Sequence, residues 1–294
     1  MKTAARPMQG KRVLITGATS GVGREIAQQL AMLGADVIIG CRDLQKGKQA
    51  AVAITAEAGL PEVTAMRVDT SSQASIRAFA QGFRKRYRRL HVLINNASGN
   101  RGTLPRVRSA DGIELTFATN VLGYFLLIEE LLPVLQTSAP ARIINVASAF
   151  ASDLDLDDLQ FERRSFDSTK AYAQSKACDR LLTWALARRL KGTGVTANAM
   201  TPGLIITGLY RHAEPELVER LRLYSGGRTA AQGADTAVWL ASAPEMERVT
   251  GKFFEDREEV ECEFRNKADE EKLWKICSEL TGTGKATAPS RNRS

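Results

Sequence analysis

Thr16-Gly17-Ala18-Thr19-Ser20-Gly21-Val22-Gly23 constrains the fold of this chain more than any other stretch. It stands between a run that reads as a buried strand, Arg12 to Thr16, and the opening of a helical pattern. Glycines at 17, 21 and 23 permit a tight turn, close approach of backbone to a pyrophosphate, and close packing of helix on strand. The first helical turn adds free N–H groups and the positive end of a dipole. Gly17, Thr19, Ser20, Gly21, Val22 and Gly23 are therefore candidate dinucleotide-binding residues; the plainer reading is a tight strand-to-helix turn.

Further apolar runs follow with helical patterns between them. Asp36 to Gly40, Val63 to Val68, His91 to Asn95, Ala141 to Ala147 and Val195 to Ala199 read as buried strands, and a late strand is expected around Lys252 to Phe254. Strands apolar on both faces require a parallel sheet covered by helices on both sides. The expected fold is α/β: a single-domain, Rossmann-type, doubly wound parallel sheet of about seven strands. The chain has 294 residues, 44% of them hydrophobic, enough for one large core. No Pro/Gly/Ser linker divides it, so residues 1–282 are expected to form one domain, closed by a helix from about Asp269 to Leu280. Thr283 to Ser294 is expected to be a disordered polar tail.

The net charge of +8 would suit an anionic partner, but the basic residues are dispersed except for Arg84-Lys85-Arg86-Tyr87-Arg88-Arg89. That run reads as a solvated helix end complementing the C-terminal dipole, and without a recognition motif it implies no nucleic acid. The four cysteines, Cys41, Cys178, Cys262 and Cys277, lack metal or redox spacing. Free thiols in a reducing, cytoplasmic setting are expected, with no metal site. No signal peptide opens the chain, and Val121 to Leu135 is interrupted by Glu129 and Glu130, so no transmembrane segment is expected.

The residue closing the second strand selects between nicotinamide cofactors. A carboxylate there would hold the ribose 2′-hydroxyl and repel a 2′-phosphate, but the chain reads Gly40-Cys41-Arg42-Asp43. Arg42 points to NADP(H), because guanidinium pairs well with phosphate, while Asp43 is placed to cap the helix beginning near Leu44. Arg42 as a solvated loop residue is the alternative. Arg24, on the first helical turn, reads as solvent-facing.

Lys170-Ala171-Tyr172-Ala173-Gln174-Ser175-Lys176 places a phenol and an ammonium four residues apart, on one face of an expected helix. A lysine beside a tyrosine favours the phenolate, which suits acid/base chemistry.

With this pair and the glycine loop on one βαβ chain, the sequence resembles the short-chain dehydrogenase/reductase family over nearly its whole length. The resemblance implies an Asn-Asn-Ala-Gly motif after the fourth strand. Here Asn95-Asn96-Ala97 is followed by Ser98, with Gly99 next. It also implies a catalytic tetrad of Asn120, Ser148, Tyr172 and Lys176. Ser148 would hydrogen-bond the substrate carbonyl and Tyr172 would protonate its oxygen. Lys176 would lower the tyrosine pKa and bind the nicotinamide ribose, and Asn120 would hold a proton-relaying water. Asn96 and Ala97 would pack beside the cofactor, and Pro202, Gly203, Ile205 and Thr207 would meet the carboxamide. Asp69 has two readings, a carboxylate facing adenine or a helix N-cap ahead of Ser71 and Ser72.

Within the family the chain is most similar to the retinol dehydrogenase and WW-domain oxidoreductase branch, and less so to protochlorophyllide reductase. Cys41-Arg42-Asp43, the acidic insert Asp153 to Gln160, Phe166-Asp167-Ser168, the Lys170 to Lys176 motif and Lys272-Leu273-Trp274 carry this likeness. Ser148 and a substrate loop without cysteine favour ordinary dark reduction. The resemblance implies a homodimer or homotetramer acting on a small-molecule carbonyl or alcohol. The loop Ala149 to Phe166 and the segment Leu209 to Tyr224 are expected to cover the pocket. In the latter, Leu209, Tyr210, Leu217, Leu221 and Tyr224 either line a lipophilic site or form the packing face of a helix. Retinoid-like, steroid-like and polyketide-like substrates all stay open. The rival from another class is an NADP-binding sensor without turnover.

Overall fold

Apolar runs become strands and the segments between them become helices. The structure, a computed structural model, describes residues 6–59, 62–99, 105–205, 228–262 and 264–283, with positions 216, 219 and 223. The first half comprises β1 Arg12–Thr16, α1 Gly21–Met32, β2 Asp36–Cys41, α2 Leu44–Ala58, β3 Thr64–Arg67, α3 Gln73–Arg86 and β4 Val92–Asn95. The second begins with α4 Leu115–Phe117, a π turn Ala118–Leu122 and α5 Gly123–Gln136, stacked end to end. It continues with β5 Ala141–Val146, α6 Ser168–Arg189, β6 Val195–Met200, α7 Ala230–Ser242, β7 Phe253–Glu255, β8 Glu258–Glu259 and α8 Lys267–Thr281.

Successive residues of the central strands are buried, as a sheet covered on both faces demands. Val13, Ile15, Val37 and Ile39 pack with Ile26 and Leu30 of α1, Ile54 of α2 and Leu240 of α7. Leu14, Ile38, Leu93 and Ile143 point the other way, onto Phe79 and Phe83 of α3, Leu131 of α5 and Leu186 of α6. Each such side chain contributes about 1.5–3 kcal/mol on burial. A third cluster joins Leu181 and Leu182 of α6 to Leu273 and Cys277 of α8 and to Phe117, Val121 and Leu159.

The strand order is β3-β2-β1-β4-β5-β6-β7-β8, parallel throughout except for the final β7-β8 pair. Eight strands replace the seven expected. The extra one, β8, is two acidic residues reached through a turn in which Asp256 and Arg257 both have positive φ. It carries no β-forming pattern, so its sequence gave no sign of it. The order in which successive strands are laid down reverses between β1 and β4, which opens a crevice at their carboxyl ends, the place where doubly wound sheets bind ligands.

The basic run behaves as a helix end. Arg84 hydrogen-bonds the Glu130 carbonyl and pairs with its carboxylate at 3.4 Å, while the Arg86 guanidinium lies 5.2 Å from the Tyr87 ring. The apolar helix corrects one expectation. Leu115–Gln136, in which an 18-residue window has a mean hydropathy of 1.4, is long and apolar enough to cross a membrane despite Glu129 and Glu130. What accounts for its apolarity is the fold, which buries 72% of that window. Apart from Thr283, the expected tail lies outside the described residues.

Candidate active site

The glycine loop lies in the crevice and is held there by the residues after β4. Gly17 and Gly21 have φ of 68° and 58°, the left-handed region that glycine occupies freely. A Cβ on Gly17 would stand 2.7 Å from the Ala97 Cα, and one on Gly23 would stand 2.6 Å from the Gly17 carbonyl and collide with the Asn96 amide. Asn96 donates from Nδ2 to the carbonyls of Thr16 and Gly17, at 2.9 and 3.2 Å. Thr16 Oγ1 accepts from the backbone N–H groups of Asn96 and Ala97, both at 3.0 Å. Asn96 and Ala97 thus clamp the loop. Thr16→Val would leave two N–H groups without this acceptor. We expect a loss of about 1–3 kcal/mol of stability, read as a lower Tm in thermal unfolding; an unchanged Tm would show that the clamp contributes nothing.

The α1 N-terminus fits an anionic group. Its N-cap, Ser20, makes no side-chain capping bond, and no acidic residue lies in the first turn. The amide groups of this turn are therefore left to an outside acceptor, and the glycines keep the approach free of side chains. Arg42 stands exposed at the end of β2. Its neighbour Asp43 caps α2, accepting from the N–H groups of Gln45 and Lys46 at 3.0 and 3.1 Å. Asp69 is not an N-cap: Ser72 caps α3, while Asp69 Oδ1 accepts from Ser71 N and Oγ at 3.0 and 2.6 Å. Arg24 is bound to Glu57 at 2.6 Å and to Gln28 at 3.0 Å.

Ser148 and Tyr172 meet beyond the ends of β5 and β6, both half-buried. Tyr172 is on the first turns of α6, whose N-cap Asp167 accepts from Thr169 N and Lys170 N. Burial pushes the Tyr172 phenol up to about 12, and the Ser148 hydroxyl, within hydrogen-bonding reach, opposes that rise. The expected lowering of this pKa by Lys176 is not what the structure gives. Lys176, fully buried, turns its ammonium to the Val146 carbonyl and to Asp179 Oδ2, both at 2.9 Å. It lies 5.8 Å from the centre of the Tyr172 ring. Asn120 sits in the π turn and is committed as well. Its Oδ1 accepts from Gly99 N at 3.1 Å and its Nδ2 donates to Ser175 Oγ at 2.9 Å. The Gly99 bond ties the stretch after Ser98 to the tetrad.

The β6 end supplies the opposite wall. Thr201 Oγ1 accepts from Ala149 N and Gly203 N, at 3.0 and 3.2 Å, which joins this segment to the end of β5. Gly203 has φ of 73° and packs on Arg228, and Ile205 is buried. Pro202 is half-buried beside them. Thr207 lies outside the described residues, as do Leu209, Tyr210, Leu217, Leu221 and Tyr224.

Four residues escaped sequence reasoning. Gln174 anchors the inserted loop by accepting from Asp155 N at 2.9 Å and from Arg164 at 3.0 Å. Buried Asp158 staples the same loop through the N–H groups of Glu162, Arg163 and Arg164. Arg180 hydrogen-bonds the Ser148 carbonyl and stacks 3.9 Å from the centre of the Phe253 ring. Asp179 pairs with Lys176. Asp179 and Arg180 lie three and four residues after Lys176, so helical spacing was the available signal for them; Gln174, two residues from Tyr172, is on another face and gave none.

Fold and site define an enzyme of the dinucleotide-dependent oxidoreductase kind. The chain belongs to the short chain dehydrogenase family, which matches residues 11–217. It is 42% identical over 282 residues to retinol dehydrogenase 12 of Homo sapiens, covering 94% of this chain and 87% of that protein. With retinol dehydrogenase 14 of Homo sapiens it shares 40% over 296 residues, with the same two shares covered. Among solved structures, an uncharacterized protein from Mycobacterium paratuberculosis superposes with a TM-score of 0.76 at 29% identity, covering 94% of each chain. A Pseudomonas aeruginosa RhlG/NADP active-site complex gives 0.69 at 29% identity, covering 86% of this chain and 97% of that one.

Proposed function

We propose that this chain is an NADP(H)-dependent oxidoreductase that interconverts a carbonyl and an alcohol on a lipophilic small molecule, with Tyr172 as general acid and base. The observation carrying this reading is the meeting of Ser148 with Tyr172. A nicotinamide cofactor bound along that loop supplies or accepts the hydride. Ser148 Oγ hydrogen-bonds the substrate oxygen, and the Tyr172 phenol gives its proton to the same atom, so negative charge is neutralised as it develops. In the reverse direction the phenolate takes that proton back. Lys176, Pro202, Gly203, Ile205 and Thr207 flank the nicotinamide in this reading, and Asp69 faces the adenine. Asn120, through Ser175 and Gly99, keeps the tetrad in register.

Three observations favour NADP(H) and a lipophilic substrate. Arg42 is free to meet a 2′-phosphate because Asp43 is spent on the α2 cap. Phe150, two residues past Ser148, is 54% exposed. The similar human proteins are by name retinol dehydrogenases. Free cysteines support a reducing, cytoplasmic setting, and family membership supports a homodimer or homotetramer. The test follows NADPH consumption with all-trans-retinal and NADP+ reduction with all-trans-retinol. Turnover in either direction is expected. Tight NADPH binding without turnover of retinal, steroid ketones or polyketide ketones would instead favour the sensor. Arg42→Ala should weaken NADPH by about tenfold or more and leave NADH nearly unchanged, read by fluorescence titration. Equal weakening of both would remove Arg42 from the phosphate site.

A further inference from the structure

Behind the Tyr172 site lies a buried polar cluster that joins Lys176 to three residues with no part in the reaction. Lys176, Asp179, Asn145 and Tyr124 are each at most 2% exposed. Asp179 Oδ2 holds the Lys176 ammonium at 2.9 Å, while its Oδ1 has no hydrogen-bond partner among the described residues. Tyr124, Asn145 and Asp179 line a cavity of about 10 Å³, room for about one water, closed by apolar Phe125, Leu182 and Trp274. The cluster is braced from β4, β5 and α6: Asn95 donates to Asn145 Oδ1 and Asn145 to Thr183 Oγ1, both at 2.9 Å, and Thr183 Oγ1 donates to the Asp179 carbonyl at 2.7 Å.

An ammonium this deep loses its hydration and, without a counterion, would shed its proton. Burial opposes the charge on Lys176; Asp179 first, and the Tyr124 hydroxyl after it, override that, so the lysine stays on the charged side. The titratable groups around Asp179 are Lys176, Tyr172 and Cys178 on α6, Tyr124 on α5 and Cys277 on α8. Of these only Lys176 is a cation. From β5 the cluster receives the Val146 carbonyl and the Asn145 amide, both uncharged.

We propose that Asp179 is a positioning residue for the reaction at Tyr172: it is the counterion that keeps buried Lys176 an ammonium and fixes it beneath the phenol. This rests on the reading of Tyr172 and Lys176 given above. An ammonium carries three N–H donors, of which Val146 and Asp179 take two, leaving one for the site; a neutral amine has none to spare.

The test reads the charge of Lys176 directly. In full-length protein labelled with [ζ-15N]lysine, the Lys176 resonance is assigned by its loss in Lys176→Met and titrated by NMR. In the unaltered chain it should remain an ammonium at pH 8 and above. In Asp179→Asn, which keeps shape and one polar contact, it should deprotonate about 2 pH units lower or more. Tyr124→Phe, which removes only the cavity hydroxyl, should move it far less. A neutral Lys176 at pH 8 in the unaltered chain overturns the proposal, even if Asp179→Asn does not fold. So does an unmoved titration in a folded Asp179→Asn, or an equal shift in Tyr124→Phe. The titration needs no turnover, so the two readings fail separately. If Tyr172→Phe still reduces all-trans-retinal at the full rate, the assignment of Tyr172 fails. If that variant is inactive and the Lys176 titration is unmoved, only the role of Asp179 fails.

Discussion

Tyr172→Phe is expected to lower carbonyl reduction by about 10²–10⁴-fold while leaving NADPH affinity nearly unchanged. The substitution removes one oxygen and little else. Tyr172 is half-buried on a well-capped helix, and its ring can stay where it is. What disappears is the proton that must reach the substrate oxygen as hydride arrives at carbon. Ser148 keeps a hydrogen bond to that oxygen, which is why a residual rate is expected rather than none. Single-turnover rates with all-trans-retinal, set beside fluorescence titration of NADPH, check both halves. A variant as fast as the parent would remove Tyr172 as the acid. With the phenol pushed up to about 12, Tyr172 is a proton donor throughout the neutral range in the cofactor-free chain. Oxidation of an alcohol requires the phenolate, so the rate of that direction should rise with pH across the neutral and alkaline range, and reduction should not.

Gly17→Val should abolish cofactor binding and cost about 2–6 kcal/mol of stability. Two penalties coincide at this position. A φ of 68° is strained for a β-branched residue, and the added Cβ meets backbone, the Ala97 Cα at 2.7 Å, rather than a side chain that can swing away. Relief requires moving Ala97 and with it the Thr16 and Asn96 bonds that shape the phosphate-facing loop. Gly82→Ala is the control: it lies within α3, and nothing stands within 4 Å of its Cβ position. That change should preserve NADPH binding and hold or raise Tm, since alanine favours a helix interior over glycine by about 0.4–1 kcal/mol. Equal behaviour of the two variants would show that the close approach at Gly17 does not matter.

Much of this was legible in one dimension because the informative interactions are local or periodic. Every strand from β1 to β7 falls on a run picked out by its apolar residues, and Asp43 caps α2 because a carboxylate one residue ahead of a helix meets its free N–H groups. Illegible features came from partners far apart in the chain. Asp69 cannot be told from an N-cap until Ser72 is seen taking that role. The apolar Leu115–Gln136 helix cannot be told from a membrane span until the sheet and α6 are seen covering it.

By itself the sequence determined the doubly wound sheet, the glycine loop at its first turn, and a tyrosine and lysine on one helix face, since each depends on residues within a few positions of one another. The tertiary structure decided what those groups touch. It brought Asn96 onto Thr16 from 80 residues away and set Ser148 beside Tyr172. It also buried Lys176 among Asp179, Tyr124 and the end of β5, turning a lysine expected to act on the tyrosine alone into half of a buried ion pair. Spacing along a helix shows which side chains share a face; the charge state of a buried group depends on the solvent it has lost and the partner it has gained, and both are set only when the chain packs.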